Sequence, residues 1–189
     1  MFLQDISHCE RIVEYGWILE NLCINGGDIL DVGSCQTYFP IMLGGLGHKV
    51  VGVDKEASFL GHPNVSFERA NIFTYTFRQK FDRVTLISTI EHIGEGNDDV
   101  DMMQEIIKPL LKPEGKVLIT TPYGKLRINS PFRVYDKERL LKLCEGYKIE
   151  KEDYFAQVGS CWVPVQGDVL KNQIIDERVS SIVCLKLGI

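Results

Sequence analysis

Apolar and polar positions along the chain change period several times, and each change predicts an element. Ile12, Val13, Trp17, Ile18 and Leu19 recur at helical spacing up to about Leu22. Ser7 precedes Glu10 by three residues, the capping-box spacing, so this helix is expected to begin near His8. INGGD then breaks it. DILDV, HKVVGVD, NVSFERA, FDRVTLIST and GKVLITTP follow as five short apolar or alternating runs, each read as a strand. The fourth is continuously apolar, as expected of a central parallel strand.

Helical stretches separate the strands. TYFPIMLGGLG follows the first, with Pro40 tolerable only in the first turn. DDVDMMQEIIKPLL is amphipathic and precedes the fifth. Asp136 is placed to cap KERLLKLCE. YKIEKEDYF and SSIVCLKLGI read as a sixth and a seventh strand. The segment 156–179 between them is long for a loop and has room for a short element of its own. Alternating strands and helices imply an α/β fold, a parallel sheet wound on both faces. The last two strands, with no clear helix between them, fit an antiparallel hairpin at the sheet edge.

Composition narrows the class without changing this picture. A chain of 189 residues fits one domain. We divide it into an N-terminal helical cover (1–24), a cofactor-binding core (27–124), and a substrate-side loop with C-terminal hairpin (125–189). A net charge of −5 gives no overall basic footprint, so a nucleic-acid partner is not favoured. Six cysteines without C-x-x-C pairs or a histidine cluster predict free thiols and no metal site. No apolar run nears the roughly 20 residues that span a bilayer, and no leader is evident. These features predict a cytoplasmic protein with no membrane partner.

In a wound sheet, ligands bind beyond the carboxyl ends of the strands. The first strand ends in Asp31-Val32-Gly33-Ser34, where Gly33 permits a tight turn. Asp54 ends the second strand, about 20 residues later, the separation at which a carboxylate reaches ribose hydroxyls. Asn71 and Ile72 follow the third strand, as either an adenine-facing pair or a plain turn. The fourth runs into Ser88-Thr89-Ile90-Glu91-His92. Ser88 and Glu91 also have capping-box spacing, while Glu91 and His92 would emerge over the cleft as a carboxylate and a general base. Tyr123 follows the fifth strand, and Lys125, Arg127 and Arg133 form a basic cluster, either cleft-facing or solvated. Trp162 is a candidate substrate-side ring or a packing residue.

ILDVGS, VVGVD, FDRVTLISTIEHI and LLKPEGKVLITTPYG, taken together, resemble the class I, Rossmann-like S-adenosylmethionine-dependent methyltransferases. The resemblance covers roughly residues 27 to 124. It implies a single-domain doubly wound seven-stranded sheet, mostly parallel, with an antiparallel last strand and order 3-2-1-4-5-7-6. It also implies that Asp31, Gly33 and Ser34 hold the methionine end of S-adenosylmethionine, with Cys35 in the same loop. Asp54 would bind the ribose, Lys55 would lie beside the adenine, Asn71 and Ile72 would flank it, and Ser88 and Thr89 would line the floor.

The family loop commonly reads acidic-x-Gly-x-Gly-x-Gly, whereas here Cys35 and Thr37 replace the second and third glycines. A dinucleotide site presses backbone against a pyrophosphate and needs those glycines. S-adenosylmethionine has no phosphate, so one glycine at the tightest point suffices. The expected activity is methyl transfer to a small polar acceptor, such as a sugar or related metabolite, leaving S-adenosylhomocysteine. His92, supported by Glu91, is the expected base, with Tyr123, Lys125, Arg127 and Trp162 on the substrate side. The altered loop also admits a non-catalytic binding or regulatory module. A nicotinamide-dependent oxidoreductase fits poorly, because the G-x-G-x-x-G frame reads Gly33-x-Cys35-x-x-Tyr38.

Overall fold

The computed structural model describes residues 9–34, 37–56, 58, 60–128, 132–175 and 178–189. β1 (Asp28–Val32), β2 (Lys49–Asp54), β3 (Val65–Arg69), β4 (Phe81–Ile87) and β5 (Leu111–Pro122) are parallel. β6 (Lys148–Val158), β7 (Cys161–Val165) and β8 (Ser181–Gly188) complete one sheet in the order β3-β2-β1-β4-β5-β8-β6-β7. β8 is antiparallel to both β5 and β6.

The expected order therefore holds, with one strand added. The sheet has eight strands rather than seven, because β7 pairs antiparallel with β6 at the outer edge. The edge hairpin joins β6 to β7, not the sixth strand to the last. β8 is buried along nearly its whole length and alternates its apolar side chains between two cores, so it fits a central position better than an edge. β7 carries Pro164, a residue confined to edges because it cannot donate to a ladder.

The two cores follow from strand alternation. Ile29 and Leu118 pack on one face, against Trp17 and Ile18 of α1 (Arg11–Asn21) and Phe39 and Leu43 of α2 (Phe39–Gly45). Leu30, Val117 and Ile119 pack on the other, against the helical segment 98–110 and α5 (Lys137–Leu143). α6 (Gly167–Leu170) lies in the connection from β7 to β8. Asp136 caps α5, its Oδ1 accepting from the Arg139 amide at 2.8 Å, and Pro40 sits in the first turn of α2.

Two helical expectations change. Ser7 lies outside the described residues, and α1 begins at Arg11 with no side-chain cap from Glu10. The amphipathic segment 98–110 is not one regular helix. α3 (Asp98–Asp101) passes into a π-helical stretch, Met102–Ile107, and then into α4 (Lys108–Leu110). Pro109 has no N–H to return to the carbonyl of Glu105, which removes one i→i−4 bond. The wider turn lets the consecutive residues Met102 and Met103 both enter the core.

Candidate active site

A cleft of about 310 Å³ opens at the carboxyl ends of β1, β2 and β4. Its walls are mainly apolar, from Val32, Val53, Ala70, Ile72 and Ile93. Polar groups sit around them: Asp54 and Lys55 after β2, Ser88, Thr89 and His92 after β4, and Arg11 from α1. Gly33 and Thr37 line it from the loop after β1.

Gly33 has φ +77°, a left-handed conformation that favours glycine. A Cβ there would also run into the side chain of Thr89. The β1 turn therefore abuts the β4 turn backbone to side chain. Thr89 is fixed in turn by its Oγ1, which donates to the Ile87 carbonyl at 3.1 Å. Cys35 lies outside the described residues.

Asp31 is buried beneath this turn and accepts from Thr85 Oγ1 at 2.6 Å. Burial pushes its carboxyl up to about 7, against the opposing pull of the Thr85 hydroxyl and Arg11. It opens to a small recess that shares Arg11, Gly33 and Thr37 with the main cleft. Ser34, expected to offer a side-chain contact, is instead 1% exposed. Its hydroxyl packs where a side chain on Gly52 of β2 would otherwise stand. Its carbonyl accepts from the Thr37 amide at 3.2 Å, which shapes the loop.

Asp54 and Ile72 line the cleft. One Asp54 oxygen accepts from the Glu56 amide at 2.8 Å, which orients the carboxylate. Asn71 follows its turn reading, since it is exposed and its Oδ1 accepts from the Phe73 amide at 3.1 Å.

The residues after β4 diverge. Ser88 adopts φ +42°, and its amide donates to the Thr120 carbonyl at 3.0 Å. It does not cap a helix. Its Oγ donates at 2.6 Å to Glu14 of α1, and only one 3-10 turn, Ile90–His92, follows. Glu91 turns inward, is 3% exposed, and accepts from Thr121 Oγ1 at 3.2 Å. Burial raises its carboxyl to about 8. His92 is exposed on the cleft, with its ring edge-to-face to Phe132 at 6.1 Å. Arg127 lies over the Phe132 ring, its guanidinium carbon 4.7 Å from the centroid. The pairing of Glu91 with His92 is corrected accordingly, because adjacent residues of a turn do not face one another.

Other substrate-side expectations move away from the cleft. Tyr123 is buried in the larger core, edge-to-face with Tyr154 at 4.6 Å, and burial raises its phenol. Trp162 lies on β7 opposite Gln157 and packs on the α1 and α2 side. Lys125 is exposed, held by its amide to the Gln173 carbonyl at 2.7 Å. Arg133 is not a cleft cation. It is 3% exposed, donates to the carbonyls of Ile93 and Gly94, and sits 3.9 Å from Asp99. Arg139 and Tyr135 meet the same Asp99 carboxylate. Two buried arginines thus pin the glycine-rich loop that carries Ile93 into the cleft.

Sequence reasoning missed Arg11 and Thr37 as cleft residues. Arg11 reads there as a polar position on an amphipathic helix, and only the packing of α1 across β4 and β5 brings it to the site.

The main cleft joins an apolar slot to a carboxylate at the end of β2, and Asp31 and Arg11 stand beside the β1 turn. Residues 30–119 match the family described as methyltransferase domain. With the sheet order above, the chain has the Rossmann-like fold of the class I methyltransferases, and residues 30–119 are similar to that domain family.

Solved structures agree at the level of the fold. A SAM-dependent methyltransferase from Methanosarcina mazei superposes with a TM-score of 0.66 at 12% identity, over 91% of this chain and 97% of that one. The glycopeptide N-methyltransferase MtfA, complexed with S-adenosyl-L-homocysteine, has a TM-score of 0.64 at 11% identity, over 100% of this chain and 91% of its own. Coclaurine N-methyltransferase, bound to N-methylheliamine and SAH, gives 0.64 at 15% identity over 77% of this chain. The present chain spans about half of that enzyme, 51% of its length. No curated protein matches the chain.

Proposed function

We propose that the chain transfers a methyl group from S-adenosylmethionine to a small polar acceptor of the sugar or related-metabolite class. The observation that carries this reading is the joining of Gly33, Asp54 and Ile72 around one apolar cleft at the carboxyl ends of β1 to β3. In it, Asp31 and the Gly33 turn hold the amino-acid end, with Ser34 acting through its backbone. Asp54 accepts the ribose hydroxyls, Lys55 lies beside the adenine, and Ile72 packs on its face, with Asn71 holding the turn beneath. Ser88 and Thr89 form the floor.

Bound S-adenosylmethionine supplies a methyl already activated on a sulfonium, so the protein's main task is alignment. The acceptor oxygen or nitrogen must approach in line with the carbon–sulfur bond and lose its proton. His92 is the cleft group placed to take it, since a neutral imidazole accepts a proton near neutral pH. Phe132 steadies that ring, and Arg127 lies against Phe132 to favour a polar or anionic acceptor on this side. A nucleic-acid acceptor finds no support in a chain of net charge −5. Among the described residues no helix is long and apolar enough to cross a membrane.

Titration calorimetry with S-adenosylmethionine and S-adenosylhomocysteine tests the reading. Saturable binding of both supports it, and no heat at millimolar ligand overturns it. Release of S-adenosylhomocysteine across a panel of hydroxyl and amine acceptors then identifies the substrate.

A further inference from the structure

A second cavity lies at the opposite end of the sheet from the cleft. It measures about 570 Å³, more than the cleft itself, and falls in the range that holds a small molecule. Its residues come from the end of α1, the approach to β1 and the approach to β2, so it sits at the amino ends of these strands. Leu22 and Leu46 give it apolar walls, and Glu20, Cys23, Asn25 and His48 supply polar groups.

His48 and Cys23 give the cavity its chemistry. His48 is 3% exposed, and its Nδ1 has no hydrogen-bond partner among the described residues. A buried polar atom left in this way is costly, and a ligand in the cavity that His48 lines would satisfy it. Cys23 follows α1 with φ +50°, and its thiol is exposed. The thiol donates to the Glu20 carbonyl at 3.8 Å, and the sulfur accepts from the Lys186 ammonium of β8 at 3.6 Å. A nucleophilic atom with a cation beside it thus borders a cavity that also holds an unsatisfied imidazole.

We propose that Cys23 is a reversible thiolation site, and that the cavity seats a small peptide-like disulfide for the exchange. The Cys23 sulfur attacks as the thiolate, accompanied by the Lys186 ammonium. A bond forms between that sulfur and one sulfur of the ligand, and the ligand's own S–S bond breaks. The other half leaves as a thiolate and takes up from water the proton that Cys23 released. Amide and carboxylate groups of the ligand suit His48 Nδ1, which accepts from an N–H or, when protonated, donates to an oxygen. Glu20 at the rim suits an ammonium of the same ligand. The site shares no lining residue with the cleft, so this inference stands apart from the methyl-transfer reading.

Oxidised glutathione is the probe, with the full chain, intact mass and peptide mapping as the readout. Cys161, exposed on β7 and away from this cavity, serves as the internal reference. Cys23 should acquire the mixed disulfide at least about tenfold faster than Cys161, because the ligand is held beside it. Its rate should saturate with probe concentration. Lys186→Met should slow the reaction about tenfold, the loss of one charged hydrogen bond. His48→Phe keeps a buried ring without its nitrogens. It should raise the half-saturating concentration about 3- to 10-fold. Iodoacetamide, which needs no seat in the cavity, should alkylate Cys23 in His48→Phe at the wild-type rate.

Equal rates at Cys23 and Cys161, or a Cys23 rate that rises linearly without saturation, overturn the proposal. Equal slowing of glutathione exchange and alkylation in folded His48→Phe removes His48 from ligand recognition. If His48→Phe does not fold, the saturation of the wild-type chain and the effect of Lys186→Met decide the matter.

Discussion

Gly33 and Thr89 touch across the ends of β1 and β4, with no room for a side chain on the glycine. The contact closes the floor of the cleft and sets the path of the β1 turn. Gly33→Ala meets two penalties, a positive φ and a collision. We expect it to cost about 1–3 kcal/mol of stability and to weaken S-adenosylhomocysteine by at least about tenfold through the shifted turn. Chemical denaturation and calorimetry on the same preparation check both.

Asp99 is fully buried and joins Arg133, Arg139 and Tyr135. Asp99→Asn leaves two buried guanidinium groups without their counter-charge. The expected loss is about 3–5 kcal/mol. Urea denaturation measures it, and a change within about 0.5 kcal/mol, the range of an ordinary surface substitution, would contradict the buried network.

Glu91 gives a prediction in pH. Its carboxyl is raised by burial from an ordinary value of 4.5 to about 8 in the folded chain. The folded state therefore holds a proton that the unfolded state has released. Its contribution to stability is complete below about pH 4.5 and is lost as pH rises through about 8. The local slope approaches about 1.4 kcal/mol per pH unit in that window. Glu91→Gln, which cannot ionise, should flatten this fall. Denaturation midpoints from pH 5 to 8.5 report it, and equal slopes in the two proteins would refute the assignment.

His92 carries the proposed proton transfer. His92→Ala should lower turnover by about 100-fold or more and leave S-adenosylhomocysteine affinity within about threefold, because the proposed role acts on the acceptor's proton and not on the cofactor. Rapid-mix turnover with an identified acceptor provides the test, and an unchanged rate would take the role away from His92.

The strand runs were legible because each buries both faces or alternates plainly. DILDV became β1 without adjustment, and Asp136 caps α5 where its spacing put it. Gly33, Asp54 and Ile72 were legible because strand ends place their residues by topology alone. What the sequence concealed depends on packing between distant segments. Glu91 and His92 are neighbours in the chain, yet a 3-10 turn sends one into the core and leaves the other on the cleft. Ser34 looked like a ligand until Gly52, on the next strand, gave its hydroxyl a buried seat. Arg133 looked solvated or cleft-facing, and only the folded chain shows it against Asp99. β7 was hidden in a segment whose pairing partner is β6, so its strand character comes from the edge it joins.

The placement of β8 between β5 and β6 has a kinetic consequence. Residues 148–165 fold back on themselves as a local hairpin, and among the described residues their backbone ladder joins the rest of the sheet through β8. Lys116 pairs with Gly188, and Lys148 pairs with the same glycine from the other side. Both ladders therefore wait for one strand far along the chain, and closing that distance is slow compared with forming the hairpin. Until it docks, the long inner edge of β5 remains an open template for another chain. The step that completes the sheet is then also the step that removes its main route to aggregation.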